Sequence, residues 1–66
     1  MSIGETVRQI RESREMLQKD LAEKIGVSQS MICQIERGTK VLTLPLGRDI
    51  ARALGCSLDD LTKDAS

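Results

Sequence analysis

Residues 18–37, QKDLAEKIGVSQSMICQIER, leave the chain few paths to follow. Leu21, Ile25, Val27, Ile32 and Ile35 stand where two short crossed helices would bury their facing sides. Ala22 falls where the two cross, and a larger residue there would push the second helix off the first. Gly26 falls between them, where a sharp left-handed turn demands positive φ. The spacing predicts two helices joined by one tight corner.

The remaining pattern is helical as well, with no strand-like alternation, so the expected class is all-α. Ile3, Val7 and Ile10 recur at i, i+4 and i+7 and give helix 1, about Ser2 to Arg14, one inward stripe. Helix 2 runs from about Gln18 to Ile25. Ser28 is a good N-cap for helix 3, which reaches about Arg37 and stops at Gly38. A loop over residues 38–43 leads to Thr43, the cap of helix 4, with Pro45 in its first turn where a missing N–H does no harm. Leu46, Ile50 and Leu54 face inward on helix 4, Gly47 lies on the same side, and Gly55 ends it. Ser57 with Asp60 forms a capping-box pattern that opens a short helix 5 around Leu58 and Leu61. Two crossed helices with such a corner make a helix-turn-helix, a scaffold whose second helix enters the DNA major groove.

Sixty-six residues predict one domain over 1–66, with no separate effector or catalytic unit. So small a chain buries only about 60% of its unfolded surface, so its packing must be efficient or a partner must add burial. No apolar run approaches the roughly 18 residues of a membrane span, and the polar N-terminus is no signal peptide. The expectation is a cytoplasmic, nucleoid-associated protein with no membrane contact. In that reducing compartment Cys33 and Cys56 are expected as free thiols. Two cysteines without a histidine supply too few ligands for zinc, and no metal or cofactor is expected. An enzyme is not expected either, because no histidine serves acid–base work and neither cysteine has an activating base. The absence of Phe, Tyr and Trp removes any base-stacking platform and argues against single-strand or RNA recognition.

The formal net charge of zero argues against nucleic acid until its distribution is considered. Residues 1–58 hold nine Lys/Arg against seven Asp/Glu, a balance of +2. Asp59, Asp60 and Asp64 against Lys63 make the last eight residues acidic, −2. An acidic end pointing away from DNA leaves a mildly positive reading face, with modest non-specific affinity and a shallow salt dependence.

At about 100° per residue, Ile32 and Ile35 set the inward side of helix 3 and send Ser30, Cys33, Gln34 and Arg37 outward. Gln29 lies on the flank at the N-terminal end, the end that enters the groove. Gln29 and Gln34 are amides able to pair bidentately with adenine, and Ser30 can donate or accept, so these three are the expected base readers. Gln18 opens helix 2, whose first amides can face a phosphate, and its side chain is placed to brace Gln29. Ser28, Arg37, Thr39 and Lys40 complete the expected backbone contacts. Glu36 lies beside the inward face, too near the core for a lone carboxylate, and Arg11 flanks helix 1 in the matching position. An Arg11–Glu36 ion pair tying helix 1 to helix 3 is therefore expected. Met31 is expected to be partly buried.

Over almost its whole length the chain resembles the Cro and phage-repressor class of regulators, the Xre family. IGETVRQIR, the 18–37 unit ending IERG, and IARALGCSLDDL carry the likeness. The resemblance implies a compact, five-helix, lambda-repressor-like domain, usually a homodimer on a palindromic operator. By position it matches Gln29, Ser30 and Gln34 to the family's base readers. It matches Gln18 and the segment after Gly38 to the backbone contacts, and Arg11 with Glu36 to the helix-tying pair. Four residues depart from the pattern: Glu15 replaces a helix-ending glycine, Leu17 a Ser/Thr cap, Leu42 a loop proline and Gly47 an inward leucine.

The functional expectation is a sequence-specific, double-stranded-DNA-binding transcriptional regulator, a repressor, with no small-molecule effector evident. Dimerisation is expected through Cys56, Leu58 and Leu61. The competing reading is a protein-interaction module on the same fold, an anti-repressor or antitoxin-like partner, which the missing positive charge favours. A redox role for Cys33 on the reading helix is the minor alternative.

Overall fold

The computed structural model describes residues 2–62. Lys63 and Asp64, part of the acidic end, lie outside the described residues. Five helices follow one another: α1 (Ile3–Ser13), α2 (Gln18–Ile25), α3 (Gln29–Arg37), α4 (Leu44–Leu54) and α5 (Leu58–Thr62), and no strand occurs among the described residues.

Four of the five helices start where a side chain accepts from one of their first free amides. Ser2 and Glu5 exchange both bonds of a capping box at α1, and Ser57 and Asp60 do the same at α5. Ser28 Oγ accepts from Met31 N–H at 3.1 Å to open α3, and Thr43 Oγ1 accepts from Leu46 N–H at 3.4 Å to open α4. Leu17 has no acceptor to offer α2. Asp20 supplies the reciprocal half alone, its Oδ2 accepting from Leu17 N–H at 3.0 Å.

Four helices end in the same way. An amide two or three residues past the helix end reaches back five residues to a carbonyl of the last turn: Met16 to Arg11, Val27 to Ala22, Thr39 to Gln34 and Cys56 to Ala51, at 2.9–3.1 Å. This closure needs one left-handed residue. Gly26, Gly38 and Gly55 supply it at φ of 75°, 81° and 74°; at the end of α1 the position is held by Glu15, at φ 54°. A Cβ in that region is unfavourable by about 1 kcal/mol or more. The α1–α2 corner therefore carries strain that the other three corners do not.

Val7, Leu21, Ala22, Ile32, Ile35, Ile50, Ala51, Leu54 and Leu61 form one aliphatic core to which every helix contributes. Ile3, Ile10, Met31 and Leu46 lie half-buried around it. α3 packs on both α1 and α2, and α4 joins α2 to α5, so the second helix of the corner is held from two sides. Arg14 adds a tie, its Nε donating to the Leu54 carbonyl at 3.1 Å and so capping the last turn of α4.

Two glycines lie inside helices, and both are pressed. A Cβ on Gly4 would meet the Ile35 carbonyl oxygen, with the Glu36 oxygen 2.8 Å away. On Gly47 it would sit 3.2 Å from Leu58 Cδ1 and 3.8 Å from Leu42 Cδ2. The side of α4 around Gly47 is thus occupied by Leu58.

Candidate nucleic-acid interface

The two sides of α3 differ completely. Ile32, Ile35 and Glu36 are buried, while Gln29, Ser30, Gln34 and Arg37 are exposed and Cys33 is half-buried. Ser28, Thr39 and Lys40 are exposed at the two ends of the helix. The amides and hydroxyl that can pair with base edges thus share one solvent-facing side of a helix anchored by its other side.

Anchoring comes from a buried polar cluster. Arg11 Nε donates to Glu36 Oε2 at 2.7 Å and its Nη2 donates to Oε1 at 3.1 Å, a bidentate pair with side chains only 9% and 4% exposed. Arg11 Nη1 donates to the Met16 carbonyl at 2.7 Å, tying the pair to the α1–α2 corner. The Glu36 hydrogen bond holds the guanidinium above its ordinary pKa against the opposing effect of burial. Gln18 Nε2 also donates to Glu36 Oε1, at 3.1 Å. The Gln18 side chain is therefore turned to Glu36 and does not brace Gln29. Its backbone still opens α2, where Leu17 gives no side-chain cap.

Arg8, Arg11, Glu12, Gln18, Cys33, Glu36 and Arg37 line a shallow cleft between α1 and α3, along the edge of the exposed face. Arg8 pairs with Glu12 at 3.5 Å on the surface, so the α1 wall of that edge carries a solvated ion pair and the α3 wall the exposed Arg37. Nothing in the periodicity of α1 marked Gly4 as part of this region. The available signal was a helix-disfavoured residue inside a helix with no capping role.

The residues expected at a dimer contact do not behave alike. Leu61 is 0% exposed within one chain and has no surface for a partner; it closes the core because α5 folds back on α1 and α4. That part of the expectation is corrected. Leu58 and Cys56 are half-buried, and burial, reinforced by Asp60, pushes the Cys56 thiol pKa up.

Residues 7–61 match the family model described as Helix-turn-helix, HTH_3. The chain is 44% identical over 52 residues to an uncharacterized HTH-type transcriptional regulator, y4dL, of Sinorhizobium fredii. That match takes in 79% of this chain and 26% of the relative. It is 36% identical over 58 residues to Multiprotein-bridging factor 1 of Debaryomyces hansenii, across 88% of this chain and 39% of the relative. The chain therefore spans well under half the length of these two curated relatives. Among solved structures it is similar to the DNA-binding domain of the P22 c2 repressor. That likeness has a TM-score of 0.92 and 31% identity, and it covers 97% of this chain and 84% of that one.

Proposed function

The chain belongs to the HTH_3 family of helix-turn-helix proteins, and we propose that it regulates transcription by reading double-stranded DNA with α3. It has the fold of the family's DNA-binding regulators, a class of proteins that are not enzymes. The observation that carries the proposal is the division of α3 into a buried anchoring side and an exposed side bearing Gln29, Ser30 and Gln34. In the major groove the two glutamines read adenine edges and Ser30 takes a neighbouring base. Ser28, Arg37, Thr39, Lys40 and the opening turn of α2 at Gln18 hold the phosphates on either side. The regulator acts as a repressor by occupying a palindromic site as a homodimer, with residues 1–66 as the DNA-reading domain. No helix among the described residues is long and apolar enough to cross a membrane.

Selection of bound sequences from a random duplex pool supplies the site for the test. Gln29→Ala and Gln34→Ala are then expected to lose about 1–3 kcal/mol on the selected site and little on random duplex. Equal weakening on both would show that these amides do not read bases.

The zero net charge supports a second reading, a protein-interaction module, and the likeness to a multiprotein-bridging factor points the same way. Salt-sensitive binding to duplex DNA favours the first reading. Its absence at low salt favours the second.

A further inference from the structure

Three arginines and two glutamates line the cleft between α1 and α3: Arg8, Arg11 and Arg37 against Glu12 and Glu36. Arg11 and Glu36 are taken up by each other and by the fold. Glu36 accepts from Arg11 twice and from Gln18 once, and the remaining Arg11 nitrogen, Nη1, donates to the Met16 carbonyl. Arg37, on the α3 wall, is exposed and has no ion-pair partner among the described residues. Arg8, on the α1 wall, pairs with Glu12 at 3.5 Å, with side chains 63% and 55% exposed. Such a pair is weak, and an arginine N-terminal to its glutamate is the less favourable order on a helix. One cation on each wall is therefore able to turn toward an anion that enters from the α3 side.

We propose that Arg8 joins Arg37 in clasping one DNA phosphate at the mouth of this cleft, and that Glu12 competes with the phosphate for Arg8. The proposal rests on the DNA-reading function above and adds α1 to the surface that meets the backbone. An α-helix about 10–12 Å across fills a major groove about 12 Å wide, so a phosphate strand runs along each flank of α3. The α1–α3 cleft opens on one of those flanks, because Arg37, exposed like the amides of α3, stands on its α3 wall.

The change of partner is favourable for Arg8. A guanidinium meets a phosphate through paired, charge-assisted hydrogen bonds, and the contact releases a counterion from the duplex. Glu12 offers one long contact in water. The exchange has a consequence for a chain whose formal net charge is zero. Glu12 stays beside the departing arginine with its charge toward the phosphate. It thus holds down affinity for any duplex and leaves the preference of the amides between sequences untouched. Arg8 positions the domain, Glu12 sets how tightly it is held, and neither reads bases.

Fluorescence anisotropy on the selected duplex and on a random duplex, across a salt series, tests the clasp. Both residues are solvent-exposed, so their substitution leaves the core intact. Arg8→Gln is expected to weaken both duplexes by the same factor and to make the slope of log K against log salt shallower by about 0.9. Arg8→Lys should keep the slope, because it keeps the charge. Glu12→Gln is expected to tighten both duplexes about twofold, the equivalent of an exposed i,i+4 pair, and most of that gain should vanish in the Arg8→Gln background. An unchanged slope in Arg8→Gln would overturn the phosphate contact, and so would a loss confined to the selected duplex. A gain from Glu12→Gln that is as large without Arg8 would be a general charge effect and would overturn the competition. A wild type that binds no duplex at low salt overturns the DNA-reading function and the clasp with it, whereas the other outcomes arise in a protein that does bind DNA.

Discussion

The α1–α3 seam and the α4–α5 side of the molecule each place a glycine against a neighbour, yet what the neighbour can do differs. Gly4 meets backbone carbonyl oxygens of α3, which cannot retreat without moving the helix. Gly47 meets the far ends of Leu58 and Leu42, side chains that can change rotamer. The seam adds a bidentate ion pair with third and fourth ties from Gln18 and to Met16, whereas α5 is held by aliphatic contacts and its own caps. The helix carrying the exposed amides is thus seated against rigid partners, and the α4–α5 side is built from adjustable ones. A reader of base edges needs the first kind of support, because a bidentate amide tolerates little displacement.

Removing one partner of the buried pair strikes the rigid side hardest. Arg11→Met is expected to lose about 3–5 kcal/mol by chemical denaturation, because Glu36 stays buried with Gln18 as its only side-chain donor. Arg11→Met with Glu36→Met should recover most of that loss. A single-variant loss below about 1 kcal/mol would mean that the pair behaves like a solvated surface pair.

Gly4→Ala should follow. The new methyl meets carbonyl oxygens and forces α1 away from α3, at a cost of about 1–3 kcal/mol. Because Glu36 provides one of those carbonyls, amide signals of α3 should shift in the same variant. A neutral or stabilising substitution would show that the seam yields as easily as the α4–α5 side.

Glu15→Gly sharpens the comparison from the opposite direction, since it removes strain at the corner where Met16 accepts from Arg11. The left-handed φ of 54° suits glycine, and a gain of about 0.5–1 kcal/mol is expected, read as a rise in the denaturation midpoint. A loss would mean that the Glu15 side chain contributes more than its backbone costs.

The smallest change is expected at Gly47→Ala. Helix propensity favours alanine by about 1 kcal/mol, and displacing Leu58 by a few tenths of an ångström offsets much of it. Thermal unfolding should show a net shift within about 0.5 kcal/mol. A penalty as large as that of Gly4→Ala would erase the distinction between the two sides.

Much of this molecule follows from neighbours in the chain. Ser2, Ser28, Thr43 and Ser57 start helices because a hydroxyl three residues before a free amide reaches it whatever else the chain does. Gly26, Gly38 and Gly55 stop them because the closing turn needs a left-handed residue, and the apolar stripes assign the buried side of each helix by angle alone. Those signals span three or four residues, so element order, the all-α class and the exposed side of α3 were legible before any coordinates. Of the contacts between helices, the sequence marked the Arg11–Glu36 pair, because a carboxylate so near the core needs a partner, and the close crossing at Ala22; the others depend on how closely two axes approach and on which rotamer the gap admits. Only the packed structure decided that α1 closes on the α3 backbone at Gly4, that Gln18 turns to Glu36 and leaves Gln29 alone, and that Leu61 vanishes into the core while Val41 and Leu44 stay outside. Each of those outcomes is set by an interhelical distance of a few ångströms, a quantity that periodicity along one chain does not contain.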